Sequence, residues 1–141
     1  MNPDAIRAWR GASSQTVWHM VAREVDCGIG VCEWIKSQGL LDIINLGDEY
    51  GETPLLYVVA GNTYGDWQQR ELKARWMMAN GADVNAVNNR TNTTVFSGAC
   101  LRRSLSFVQE LASKVTPDHL SMPFRDGGSP VKRAFQSNPD Y

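Results

Sequence analysis

An all-α fold of stacked helix pairs is what this sequence predicts, and three observations predict it. Four short segments, TVWHMVA at 16–22, TPLLYVV at 53–59, TTVFSGA at 93–99 and SPVKRAF at 129–135, each open with Thr or Ser, at spacings of 37, 40 and 36 residues. Between them a second helical pattern returns: VCEWIKSQG at 31–39, WQQRELKARWMMANG at 67–81 and SLSFVQELASK at 104–114. Polar, asparagine-rich stretches such as NGADVNAVNN at 80–89 separate the units. A pair of short helices cannot bury its own apolar side, so successive pairs stack and share one narrow core, the logic of a solenoid.

Each element has a local reason. The opening Thr or Ser accepts a bond from a backbone N–H that the first helical turn leaves unpaired. Pro54 and Pro130 suit that first turn because their missing N–H is not needed there. In the second helices, Val31, Trp34 and Ile35 fall at i, i+3 and i+4, and Phe107, Val108 and Leu111 give the same face again. Leu72, Arg75 and Trp76 repeat the spacing, with Arg75 interrupting the stripe. Gly39 and Gly81 are placed to end their helices in the left-handed conformation. The Asp and Asn side chains after Gly81 bond to nearby backbone and form turns until Thr93 caps the next helix.

Composition bounds the function. The chain has 141 residues, 43% of them hydrophobic and 21% charged, with a net charge of −1, which is ordinary for one globular domain. So little net charge argues against nucleic acid as a partner, since phosphate neutralisation requires clustered cations. Arg102, Arg103, Lys132 and Arg133 read as solvated helix ends. No run approaches the roughly 20 apolar residues that span a bilayer, and the first residues lack an apolar leader, so the expectation is a cytoplasmic protein with no membrane partner. Cys27, Cys32 and Cys100 are then free thiols. The glycosylation pattern at Asn89 and Asn92 is read as chance.

The segments GETPLLYVVA at 51–60 and NGADVNA at 80–86 carry a family resemblance. The first is similar to the G-x-T-P-L-H-x-A-A stretch of ankyrin repeats, and the second to their usual inter-repeat sequence. QTVWHMVA at 15–22, GGSPVKRA at 127–134 and GLLDIIN at 39–45 are looser versions. The chain thus resembles an ankyrin-repeat protein over about residues 12–136. The resemblance implies an all-α ankyrin-repeat solenoid in a single domain over 1–141. It has a cap at 1–11, three full repeats at about 12–47, 48–87 and 88–123, and a truncated one at 124–141. Two departures stand out. The spacing exceeds the family's by several residues, with the surplus placed in GNTYGDW at 61–67 and in TPDHLSMPFRDGG at 116–128, where a turn of helix follows Thr116-Pro117. The family's histidine survives only as His19, while Leu56, Phe96 and Lys132 occupy the matching positions.

The resemblance also implies where a partner binds: beside the loop glycines and near the ends of the first helices. Those residues are Ala12, Ser13, Gln15, Arg23 and Glu24, then Glu49, Tyr50, Glu52 and Ala60, then Asn89, Arg90, Asn92 and Leu101, and finally Arg125, Asp126 and Gly128. Tyr50 and Arg90 stand out, because tyrosine and arginine carry much of the energy of protein interfaces. The alternative has Tyr50 packing on the adjacent loop and Arg90 pointing to water. Trp18, Trp34 and Trp76 read as core and Trp9 as part of the N-terminal cap. Trp67 reads as a plug for the lengthened turn beside Tyr64, or else as an added contact.

Catalysis and cofactors find little here. His19 reads as a structural histidine, and neither it nor His119 has an evident nucleophile and carboxylate beside it. Cys27, Cys32 and His19 lack the fourth ligand of a structural zinc site. NGADVN lacks the oxygen pattern of a calcium loop, and no Gly-Lys-Ser/Thr follows the glycines to cradle phosphate. The expectation is a non-enzymatic module without cofactor or metal that binds a protein, as adaptor, inhibitor or effector. A homodimer built on the weakly covered Val131, Ala134 and Phe135 is the alternative, and a small enzyme with a site near Trp67 ranks third.

Overall fold

The computed structural model describes residues 2–24, 27–61, 66–102 and 104–123. Eight helices follow one another along them: α1 (Pro3–Ala8), α2 (Val17–Arg23), α3 (Ile29–Ser37), α4 (Pro54–Ala60), α5 (Trp67–Ala79), α6 (Val95–Cys100), α7 (Leu105–Ala112) and α8 (Pro117–Ser121). Among the described residues there is no strand, only an isolated antiparallel bridge between Val87 and Thr94. The chain is therefore all-α. The fourth start at Ser129, with Arg125, Asp126, Val131, Ala134 and Phe135, lies outside the described residues.

Helix α4 packs against α2 on one side and α6 on the other, α5 lies against α3 and α4, and α7 and α8 lie against α6. Leu55, Leu56, Val58 and Val59 of α4 are all buried, as is every residue of α6. A helix that is apolar on all sides is stable only when enclosed on all sides. The two come so close that a Cβ on Gly98 would lie 2.5 Å from the Cβ of Ala60. Trp18 of α2 is fully buried, donates its indole N–H to the Leu40 carbonyl at 2.8 Å and leans on Trp76 of α5.

The caps largely form where the sequence places them. The Thr53 hydroxyl accepts the Leu56 N–H, and Thr16 pairs reciprocally with His19. In the third unit the cap is Thr94, one residue later than the alignment on Thr93, and it pairs reciprocally with Ser97. Ser97, not Phe96, therefore stands at the position of His19. The extra residue sits in the preceding turn, where Asn92 takes a φ of 61°. Gly39 and Gly81 end α3 and α5 at φ +77° and +96°, as expected of left-handed helix ends. Asn45 and Asn85 then brace the next unit: Asn45 bonds the Gly81 carbonyl and the Asp83 N–H, and Asn85 accepts the Thr116 N–H.

The outer helices differ from the expected stripes. In α3 the buried residues are Cys32 and Ile35, while Trp34 is 47% exposed and Val31 is exposed too. In α5 the buried face is Arg70, Lys73, Ala74 and Met77, and Leu72 is 61% exposed. The neighbours explain the change of phase. The inner helices α2 and α4 present their C-terminal carbonyls to α5, and these orphan acceptors draw cations inward. Lys73 donates to the Val21 and Glu24 carbonyls at 2.8 and 2.9 Å. Arg70 donates to those of Val58 and Gly61. Arg102, read from sequence as a solvated helix end, is half-buried and donates to the Val59 carbonyl.

Candidate functional site

Three turns, each just before an inner helix, lie in a row. In each, an N–H at the start donates to a carbonyl at the end: Gly11 to Gln15, Asp48 to Glu52 and Asn88 to Thr93. The Asp48 carboxylate also accepts the N–H groups of Tyr50 and Glu52, and the Asn88 side chain those of Arg90 and Thr91. This is why short polar side chains occupy the first position of a turn. Sequence reasoning misses both Asp48 and Asn88; the available signal is an Asx residue four or five positions before the residue preceding the capping Thr.

The turns are tied to one another through backbone. Glu49 donates to the Ser13 carbonyl at 2.9 Å, and Asn89 to that of Tyr50 at 2.9 Å. The Asn92 side-chain amide donates to the Pro123 carbonyl at 2.8 Å. In the first turn Ser13 and Ser14 both adopt positive φ, 58° and 63°, a conformation that non-glycine residues take at a cost.

Of the residues that the sequence points to, Glu49, Tyr50, Asn89 and Arg90 come together. The Arg90 guanidinium lies over the Tyr50 ring, 4.9 Å from its centroid, a cation–π geometry. Tyr50 thus packs on the adjacent turn, and the Arg90 guanidinium that covers its ring remains exposed. Hydrogen bonding to Glu49 holds the Tyr50 phenol above its ordinary pKa. Glu52 sits in the same turn with its side chain half-buried. Burial, with Asp48 beside it, raises its carboxyl to about 7. Asn92 belongs to the third junction. Arg23 lies apart, at the last residue of α2, where it contacts Gln15 and Glu24.

His19 joins the first turn to the second. Its Nδ1 accepts the Thr16 N–H at 3.0 Å, and its Nε2 lies 2.7 Å from the Glu52 carbonyl. An Nδ1 that accepts leaves the proton on Nε2, so the ring is the neutral Nε2–H tautomer. Burial lowers its pKa. No equivalent ring serves the second junction, where Leu56 stands.

The remaining candidates settle elsewhere. Trp67 is half-buried, edge-on to Phe107 at 5.4 Å, with the Arg70 and Arg102 guanidiniums both 5.7 Å from its centroid; this packing matches the plug reading. Tyr64 lies outside the described residues. Trp9 is 42% exposed and rests against Gly11. A cavity of about 430 Å³ between α1 and α2 is lined by Ala5, Ile6, Trp9, Val17 and Met20, an apolar lining with no proton-transfer group. Cys27, Cys32 and Cys100 are free, and burial pushes the Cys32 and Cys100 thiols up to about 11. No helix among the described residues is long and apolar enough to cross a membrane.

Comparison with known proteins adds no family: no family model matches the chain, and no curated protein matches its sequence.

Proposed function

We propose that this chain is an ankyrin-type solenoid acting as a non-enzymatic binding module, which holds a protein partner on the row of turns and the adjoining face of the inner helices. The observation that carries this reading is the junction of the second and third turns. There Asn89 bonds Tyr50 and Arg90 stacks on it, presenting an aromatic–guanidinium pair flanked by Glu49 and Asn89. Such a pair is already ordered before binding, so little conformational entropy is lost when a partner covers it. The inner-helix row α2–α4–α6, the asparagine braces and the left-handed glycines after α3 and α5 support the solenoid reading. A cytoplasmic setting fits the free thiols.

The test uses the full chain as bait in an extract of its native source. Tyr50→Ala and Arg90→Ala should each reduce recovery of the partner about tenfold or more, since truncating a hot-spot residue costs about 2 kcal/mol. Leu72→Ala, on the outer side of α5, should leave recovery unchanged. Equal recovery by all three variants and the wild type would remove this face from the reading.

A further inference from the structure

We infer that His19 is an acid-released latch: protonating it frees the first turn from the second while the junction of the second and third turns stays closed. The basis is an asymmetry between two otherwise similar junctions. Both carry a backbone bond between turns, Glu49 to Ser13 in one and Asn89 to Tyr50 in the other. Only the first is also bridged by an imidazole, and that side chain is 1% exposed. Both ring nitrogens are committed in one tautomer, Nδ1 accepting from Thr16 and Nε2–H donating to Glu52. A second proton has one place to go, Nδ1, where it would meet the Thr16 N–H head on. Donor faces donor, and one of them has to leave.

The surroundings do not rescue the imidazolium. The charged groups acting on the ring are Asp48 from the second turn and Arg10 from the segment after α1. Asp48 favours the cation and Arg10 opposes it, but burial outweighs both. The Glu52 carbonyl that accepts the Nε2–H also favours the cation, yet the net direction remains downward. The residues of α4 nearest the turn, Pro54, Leu55 and Leu56, are buried and apolar. The Thr16 hydroxyl, 3.0 Å from Nδ1, can turn to accept the new proton, but the Thr16 N–H is then left without its acceptor. The first turn is held in a costly conformation, with Ser13 and Ser14 both at positive φ.

Hydrogen exchange of backbone amides in the full chain, read by NMR from pH 7.5 to 5 and corrected for intrinsic rates, tests the latch without any partner. Protection of Thr16 and Glu49 should fall at least tenfold relative to Asn89. The midpoint should lie below 6.5 and coincide with the titration of the His19 ring protons. In His19→Gln the fall that follows the His19 titration should be absent, leaving at most a step near 7 from Glu52. A constant ratio in the wild type overturns the latch, and so does parallel loss at Glu49 and Asn89. A His19 midpoint at or above 6.5 overturns it as well, and that midpoint is measurable in the wild type even if the variant does not fold. Weakening of partner capture at pH 5 would rest in addition on the binding reading above; the exchange experiment does not.

Discussion

Lys73 shows how one residue can satisfy what an ended helix leaves undone. The C-terminal carbonyls of α2 have no partner within their own helix, and Lys73 reaches from α5 to two of them, those of Val21 and Glu24. Its ammonium carries the positive charge that a helix C-terminus favours, and its stem fills space in the core, leaving the residue 5% exposed. Burial lowers its pKa, yet two carbonyl acceptors keep a use for the charge. Lys73→Met retains the stem and removes the donor, so the buried Val21 carbonyl loses its partner, while the part-buried Glu24 carbonyl keeps the Cys27 N–H. Hydrogen bonds to charged groups contribute about 1.5–3 kcal/mol each, and the expected loss of stability is about 2–4 kcal/mol. Urea denaturation should show it as a lowered midpoint with an unchanged slope. Arg75→Ala, which removes a half-exposed ion pair to Glu110, should cost under about 1 kcal/mol. If the two variants lose equal stability, the carbonyl-capping role of Lys73 is wrong.

At the scale of elements, the inner helices depend on closeness and the outer ones on polar ties. Between α5 and α7 the polar links are Arg75 to Glu110 and Ser104 to Glu71, beside the Trp67–Phe107 ring contact, whereas α4 and α6 meet at Gly98 and Ala60. Gly98→Ala would bring two methyl carbons to 2.5 Å and a backbone Cα to 3.1 Å, so the helices must separate. Overpacking of this kind costs about 1–3 kcal/mol, despite alanine's better helix propensity. Ala60→Gly in the same background should recover part of the loss; absence of recovery would place the strain elsewhere. The inner helices are legible in sequence because caps, Pro54 and the continuous apolar runs all point one way. The outer faces are not. Reading Arg75 as a break in a Leu72–Trp76 stripe assumes that cations face water, while here the stripe runs Arg70, Lys73, Ala74, Met77. The one-residue shift from Thr93 to Thr94 is equally hidden, since two threonines in succession offer the same cap and only the turn length chooses between them. Tyr50 and Arg90 stand out one by one, and the 40-residue spacing sets them at matching places in successive turns without saying that their side chains meet.

For the whole molecule, pH acts on two groups of the turn row with opposite sign. His19 has a lowered pKa in the fold, so its contribution is complete above the unfolded value near 6.5 and is lost as pH falls toward the folded one. Glu52 is raised from 4.5 to about 7. The folded state therefore holds a proton that the unfolded state has released, and its contribution is complete below 4.5 and lost as pH rises through about 7. Below 6.5 the two windows overlap and the contributions offset each other, and ionised Glu52 is a liability at neutral pH. Because its carboxyl is partly open to water, solvent screening reduces the effect to about 1 kcal/mol. Glu52→Gln keeps the size of the side chain and removes the titration. Its stability relative to wild type should improve by about 1 kcal/mol between pH 4.5 and pH 8, measured by urea denaturation at each pH. A decline on the acid side of 6.5 should stand out in this variant, because His19 is intact and Glu52 no longer offsets it, and should be absent in His19→Gln. A wild-type-minus-Glu52→Gln difference that stays constant across that range would mean that the Glu52 carboxyl titrates alike in the folded and unfolded chain.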